Sequence, residues 1–504
     1  MHLINAQAIL DIEEKRAPSN EVLKDAYGTE INKLEYAILS YCWCASEEQE
    51  LRLSDIRCLS IDAARKLQRH DGYQKIVKGC IKARDDNIEW LWTAPCCVSW
   101  QNNRDLSKAM NSMYRWCAKS TRCYAYLHDV KKPSSSTDNT FTRSKWFSCS
   151  WTLQVLLAPS DIKFFDCQWR HIGNKTDLVP ILTDITGIPQ DILIHGLPPQ
   201  HNPYRPSVAQ IMSWAADRHT SKVEDQAYSL VGLFGIHLAV QYGEKEFAFQ
   251  RLQEAIIKEY NDHTIFAWFT NARHGSVLAD NPNCFKGSSD IIRLDPHIVF
   301  SVACPQAIME VKTHRGFHVT KLGIELWLPL VTYRSGSRDL AQAKLACCRK
   351  GNPKLITLDL SLAFSEYDDV FLRDFTDIGP LPGISGFRSL HLVHRQPNLI
   401  SKPCLPHTQD MAFILQHVSR LDLDLGNAPD VVSSLFDEIS HWTANLDDWI
   451  EIKNSFLKPT SRKTLRGFLP SSGALVALKG PRNTSSALNK EDIEVTPIFG
   501  LPSI

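Results

Sequence analysis

Tyr36-Ala-Ile-Leu-Ser-Tyr-Cys-Trp43 is an apolar run that ends on small polar, sulfur-bearing and aromatic side chains. A strand buried on both faces reads this way, because neither face requires polar alternation. Three comparable runs follow: Ile88-Glu-Trp-Leu-Trp-Thr93, Arg122-Cys-Tyr-Ala-Tyr-Leu-His128 and Ile162-Lys-Phe-Phe-Asp166. Helical spacing appears between them. Ile76, Val77, Cys80 and Ile81 share one face, and Leu106, Ala109, Met110, Met113 and Cys117 share another. Leu153 to Leu157 reads as the end of a further helix, closed by Pro159. Strand and helix therefore alternate with connections of workable length, which predicts an α/β domain with a mainly parallel sheet. Lys132-Pro-Ser-Ser-Ser-Thr-Asp-Asn-Thr140 reads as a solvated loop inserted in it.

Outward from this core the character changes. Residues 1–35 read as a short lead-in segment, and the α/β domain runs over 36–174. Residues 175–268 read as a helical extension, with candidates at 208–216 and 224–234 and a face marked by Phe249, Leu252, Ile256 and Tyr260. From about residue 269 to 504, short alternating apolar runs such as Gly323-Ile-Glu-Leu-Trp-Leu-Pro-Leu-Val331 and Leu355-Ile-Thr-Leu-Asp-Leu-Ser-Leu362 predict a separate β-rich domain. The stretch 470–490, with its Ser, Gly, Asn and Pro, reads as a loop. No internal repeat is evident.

The chain has 504 residues, enough for two or three domains. Its 56 Lys and Arg balance 56 Asp and Glu, so nothing in the net charge argues for binding nucleic acid through its phosphates. The 15 cysteines lack paired C-x-x-C spacing, and Cys42, Cys44, Cys117 and Cys123 match no familiar tetrahedral metal pattern, so no metal is expected. Asp11, Glu13 and Glu14 spoil a secretory leader, so reduced thiols and a cytoplasmic location are expected. The longest apolar stretch, Leu230 to Tyr242, is broken by Gly232, Gly235 and His237 and is too short to span a bilayer. No G-x-x-x-x-G-K-[ST] and no G-x-S-x-G occurs, which leaves out the P-loop and the commonest α/β-hydrolase signatures.

The Tyr36–Trp43 run, Arg143-Ser-Lys-Trp-Phe-Ser-Cys-Ser-Trp-Thr-Leu-Gln154 and Leu156-Leu-Ala-Pro159 are joined, in order, by several further blocks. These are Leu106-Ser-Lys-Ala-Met-Asn-Ser-Met-Tyr-Arg-Trp116, Ile185-Thr-Gly-Ile-Pro189, Ser207-Val-Ala-Gln-Ile-Met-Ser-Trp-Ala-Ala216 and Glu224-Asp-Gln-Ala-Tyr-Ser-Leu-Val-Gly-Leu-Phe-Gly235. In order and wording they resemble the heterokaryon-incompatibility (HET) domain of filamentous fungi. The resemblance is dense over residues 1–268. The rest is similar to the β-rich region that often follows this domain. It implies a role in non-self recognition and programmed cell death. It also implies a distant likeness to TIR domains, which have a flavodoxin-like fold and some of which cleave NAD with a glutamate at the sheet's edge.

Three departures stand against the family pattern. Cys44 replaces a glycine after the first strand. Ala94 stands where the family carries an aspartate after the second strand, and Val155 where it carries a glutamate. A carboxylate at a sheet edge can act as a base or stabilise a cationic transition state; alanine and valine can do neither. The candidate pocket expected from the resemblance comprises Ser40, Trp43, Cys44, Trp92, Ala94, Cys96, Arg143, Trp151, Gln154 and Val155, with no catalytic residue assigned. Trp43, Trp92, Trp146 and Trp151 read either as lining for a planar ligand or as core residues. Cys96-Cys97 reads as a nucleophile beside His70 or His128, or as buried structural thiols. Arg143 reads as an anion clamp or as the partner of Glu224 or Asp225. Asp85-Asp86 and Glu47-Glu48 read as solvated charge runs.

The function expected is therefore signalling by protein association, with itself or with other incompatibility proteins, and without a cofactor. The alternative is a TIR-like hydrolase that consumes NAD or a related nucleotide. For that reading the nearest replacement carboxylates are Glu89 and Asp129.

Overall fold

The computed structural model describes residues 1–18, 20–43, 49–131, 139–269, 276–303, 316–320, 323–335, 338–362, 370–374 and 386–392, and five short stretches after residue 410. The chain divides into two compact units: Met1–Phe269 with Asp280–Ile292, and Thr270–Ala279 with Arg293–Ile504.

The first unit is built on a seven-stranded sheet: β1 (His2–Asn5), β2 (Leu23–Asp25), β3 (Tyr36–Tyr41), β4 (Trp90–Trp92), β5 (Arg122–Tyr126), β6 (Ile162–Phe165) and β7 (His171–Asn174). The spatial order is β2-β1-β4-β3-β5-β6-β7. β3 runs parallel to β4 on one side and to β5 on the other, and β5 runs parallel to β6. The four parallel strands thus stand in the order second-first-third-fourth, which is the flavodoxin-type order expected. All six residues of β3 are buried, as its unbroken apolar run requires.

The outer strands depart from a purely parallel sheet. β1 pairs antiparallel with both β4 and β2, and β7 antiparallel with β6. Residues 1–35, read from sequence as a lead-in, therefore supply two strands and the helix α1 (Ala6–Glu13). Asn5 ends β1 and starts α1 by accepting the Ala8 backbone N–H at 2.9 Å, one of the orphan donors of the first turn.

The longer helices follow the predicted faces. α2 (Asp71–Asp85) buries Tyr73, Ile76, Val77, Cys80 and Ala83. It lies so close to the sheet at Gly79 that a Cβ there would sit 2.9 Å from Leu39 Cδ2 and 3.2 Å from Leu91 Cδ2. α3 (Asn103–Lys119) buries Leu106, Ala109, Met110, Met113 and Cys117 and is capped by the Asn102 side chain. α4 (Trp151–Leu157) carries the Trp-Thr-Leu-Gln block and buries all but its first residue.

The Asp85-Asp86 run is only half solvated. Asp85 is exposed, whereas Asp86 sits at the end of α2 under the sheet. It accepts from Lys163 Nζ at 2.8 Å, Arg122 Nη1 at 2.8 Å and Tyr124 Oη at 2.8 Å. Glu47 and Glu48 lie outside the described residues.

The helical extension comprises Val179–Thr186, Gln190–His195, Val208–Ser213, Asp225–Tyr228, Val231–Phe234 and Phe247–Glu259. The candidate over 224–234 is two short helices with a break at Ser229 and Leu230. The extension is tied to α3. Asn111 donates to the Leu238 carbonyl at 2.8 Å and accepts the Leu238 N–H at 2.9 Å, and the Val240 N–H donates to Ser107 Oγ at 3.0 Å.

In the second unit, Ile324–Ser335, Arg338–Arg349, Asn352–Leu362, Val370–Asp374 and Gly386–Leu392 pair in sequence order. The fifth strand returns to the first, so that Leu330 faces Ala343 on one side and Gly386 on the other. The five strands close into a ring. Ile324, Leu326, Leu328 and Leu330 are buried at alternate positions of the first strand, the period of a sheet with one face inward. Beyond them, Met411–Leu415, Leu475–Gly480 and Glu494–Ile498 form a three-stranded sheet. The 470–490 stretch therefore holds a strand, Leu475-Val-Ala-Leu-Lys-Gly480, where the sequence reads as a loop. Among the described residues no helix is long and apolar enough to cross a membrane.

Candidate functional site

In open α/β sheets, ligand sites form outside the carboxyl ends of the strands where the strand order reverses. Here that point lies between β3 and β5, and its residues are Ser40 and Tyr41 of β3, Cys42 and Trp43 just after it, and Leu127, His128 and Asp129 just after β5. Ser40 is buried and accepts the indole N–H of Trp146 at 3.1 Å. Trp146 is thereby a core residue with its polar atom satisfied, the second of the two readings open for it.

Tyr41 Oη donates to Glu50 Oε2 at 2.9 Å, and Lys75 Nζ stands 3.7 Å from Glu50 Oε1 and over the Tyr41 ring. The Glu50 and Lys75 side chains are 9% and 10% exposed. This edge of the sheet therefore holds a carboxylate that the sequence reading did not find. No hydrophobic period in the sequence marks Glu50 as facing inward. Asp129 is on the same edge, held by Ser144 Oγ at 2.7 Å and the Lys145 N–H at 2.7 Å. Glu89 precedes β4 and bonds Asn5, which puts it at the opposite end of the strands.

Cys42 follows β3 and Cys149 precedes α4, and each thiol acts on the ionisation of the other. Cys149 lies below the ordinary cysteine range. The Cys42 thiol is the first cause; the N–H groups of Trp151 and Thr152 and the Arg218 guanidinium add to it against the effect of burial. The Cys149 thiol, with burial, pushes Cys42 up. Arg218 is buried and anchored by Nε on the Trp214 carbonyl at 2.9 Å and by Nη1 on the Cys149 carbonyl at 2.9 Å. Burial lowers it to about 10.

The remaining predicted residues divide. Trp43 is 45% exposed and meets Trp100 edge-on at 4.9 Å. The Trp100 indole donates to the carbonyls of Ala94 and Pro95, which brings Trp43, Ala94 and the short helix Ala94–Cys97 to one corner. Cys96 and Cys97 are buried, and the Cys96 thiol is raised by its bond to Cys97 and by burial. They have the character of structural thiols. Trp92 is buried and packs edge-on against Trp116 at 5.9 Å.

Trp151, Gln154 and Val155 look elsewhere. Trp151 bonds the buried Asp225, whose carboxyl burial raises against the bonds from Tyr242 and Trp151. Gln154 is fully buried beside Gly232 and Tyr114, and neither atom of its amide has a hydrogen-bond partner. Val155 is buried. Arg143 is exposed, while Glu224 accepts the Gly243 and Lys245 N–H groups and Asp225 accepts Tyr242 Oη, so neither acid is its partner. Cys44 lies outside the described residues.

No protein-family model and no solved structure matches this chain. Over 231 residues it is 38% identical to the vegetative incompatibility protein HET-E-1 of Podospora anserina, a match that covers 44% of this chain and 16% of that protein. An identity of 38% over a segment of that length, together with the ordered sequence blocks, marks that segment as homologous to part of a vegetative incompatibility protein, as the resemblance implied.

Proposed function

We propose that this chain is a cytoplasmic incompatibility-type protein that acts in non-self recognition by association with protein partners. The observation that carries this reading is the 231-residue similarity to a vegetative incompatibility protein. The departures at Ala94 and Val155 support association over catalysis, since neither position offers a titratable group. The edge around Trp43 and Trp100 is the contact surface we favour. A tryptophan pair presents a large apolar area with a polar rim, the composition of interface anchors. The test is the growth of a fungal host expressing the chain, beside its oligomeric state by light scattering. Loss of viability that Trp43→Ala relieves, without loss of folding, is the expected result. An inert, monomeric chain at every concentration overturns the reading.

One observation favours a second reading, the NAD-consuming hydrolase. Glu50 provides a carboxylate at the sheet edge, and Tyr41 and Lys75 fix its position. Purified chain incubated with NAD, with nicotinamide release followed, tests it directly. Turnover that Glu50→Gln abolishes would make Glu50 the replacement for the missing acids. Turnover only in the Ala94→Asp, Val155→Glu double variant would identify a lost active site on an intact fold. Silence from all of them leaves association alone.

A further inference from the structure

Between the helices Val231–Phe234 and Phe247–Glu259 the chain runs as Ile236-His-Leu-Ala-Val-Gln-Tyr-Gly-Glu-Lys245, without helix or strand. Ile236, Leu238 and Val240 are 5%, 9% and 8% exposed, whereas His237, Ala239 and Gln241 between them face solvent. A strand with one face buried alternates in this way, yet no strand pairs with the segment. Among the described residues, no backbone group from His237 to Gly243 bonds to another backbone group. Side chains stand where a neighbouring strand would. Asn111 of α3 exchanges two bonds with Leu238, donating to its carbonyl at 2.8 Å and accepting its N–H at 2.9 Å, as a partner residue in a ladder does. Ser107 Oγ accepts the Val240 N–H at 3.0 Å, and Tyr228 Oη accepts the Gln241 N–H at 2.8 Å. Arg251 Nη2 donates to the Ala239 carbonyl at 2.9 Å. Glu224 accepts the Gly243 and Lys245 N–H groups at 2.7 and 3.1 Å. The segment's own side chains bond outward as well. Tyr242 Oη donates to Asp225 at 2.8 Å, and Glu244 accepts from Tyr228 Oη at 2.6 Å and from Arg251 Nη1 at 2.7 Å.

A recognition groove holds an extended peptide in this manner: bonds to its backbone give affinity, and pockets for alternate side chains fix its register. Here the peptide belongs to the same chain. Its ends are suited to release. Gly235 ahead of it has φ +64°, and Gly243 and Lys245 near its end have φ +100° and +53°. The lysine value is one that a residue with a Cβ seldom adopts, so the bound turn is held by its partners at a cost. Letting the segment go breaks no helix and no sheet ladder. We propose that residues 236–245 are an intramolecular ligand: the segment leaves its groove as one unit, and the same segment of a second copy takes its place. The groove itself specifies that occupant, because Asn111, Ser107, Tyr228, Glu224 and Arg251 already match this sequence in this conformation. Within one copy the tethered segment has an effective concentration on the order of millimolar, so exchange sets in where copies are crowded. The groove is built from α3 and the helical extension, and the inference rests neither on the Trp43 edge nor on catalysis.

The first arm of the test is hydrogen exchange of the full natural chain, read residue by residue. The N–H groups of Leu238, Val240, Gln241, Gly243 and Lys245 should share one opening free energy and exchange at least about a hundredfold faster than those of β3. Asn111→Ala should speed all of them, Gly243 and Lys245 included, although Asn111 bonds neither, and should leave β3 unchanged. The second arm vacates the groove with Leu238→Asp and Val240→Asp in the full chain and adds a fluorescein-labelled peptide of residues 236–245. Anisotropy should show this peptide binding the variant at least about tenfold more tightly than the natural chain, whose own segment competes. A peptide of the reversed sequence should not bind. Protection of β3 reports whether the variant is folded; where the double variant loses it, Val240→Asp alone takes its place. Acceleration confined to Leu238, or exchange of the segment only together with β3, overturns release as a unit. A folded variant that ignores the peptide overturns exchange between copies.

Discussion

At the scale of single residues, charge placement decides most of what is specific to this fold. Asp86 shows it best. Burial works against its ionised form, but hydrogen bonds from Lys163, Arg122 and Tyr124 outweigh burial and hold its carboxyl below the usual range. A carboxyl lowered in the folded state contributes stability above its unfolded pKa of about 3.9 and loses it as pH falls through the folded value. Asp86→Asn should therefore reduce unfolding free energy by about 1–3 kcal/mol at pH 7, the usual worth of charge-assisted bonds. The difference from the natural chain should shrink below about pH 4. Urea titrations at several pH values measure both, and an equal difference at pH 7 and pH 3 would sink the account. Little of this was legible in advance. Two adjacent aspartates read as a solvated pair, because Arg122 and Lys163 reach Asp86 only through the sheet order. Glu50 escaped for the same reason: it meets Lys75 only in the fold, and no period links the two.

At the scale of elements, the core strands and the longer helices were readable because each carries a continuous apolar signal. β3 is buried along its length, and the buried positions of α2 and α3 recur at helical spacing. The strands that sequence reading passed over, β1, β2 and β7, have only 4, 3 and 4 residues, too few for a period to emerge from neighbouring polar side chains. What holds these elements at their distance is partly the absence of a side chain. Gly79 lets α2 rest against Leu39 and Leu91. Gly79→Leu should lower stability by about 1–3 kcal/mol through overpacking, even though leucine is the better helix former. Thermal denaturation would check it, and an unchanged or raised melting temperature would show that α2 can slide. The candidate site was legible at this scale only in part. The edge carrying Ser40, Trp43, Ala94 and Cys96 follows from the strand order, whereas Trp151, Gln154 and Val155 belong to a helix whose faces turn toward the extension.

At the scale of the whole molecule, the chain divides into two compact units of different fold. The first carries its own sheet, its own helices and a helical extension bonded to α3. A chain ended after Ile292 should therefore keep a cooperative melting transition and slow amide exchange in β3 and β5. Gradual, uncooperative melting would mean that the second unit completes the first. The β-rich character of that second unit was legible from its alternating runs, but the closure of its five strands was not, since pairing between the first and last strands leaves no mark on either. Closure has a consequence for how such a protein can assemble. An open sheet ends in rows of unsatisfied backbone donors and acceptors that invite another chain to continue it. In the ring, Leu330 already has a neighbour on each side, so strand-by-strand growth has nowhere to begin along that seam. Along that seam, contact between copies falls to side chains, which sequence can vary, and not to backbone pairing, which is indifferent to sequence. Under the role in non-self recognition proposed above, that is the more discriminating of the two chemistries.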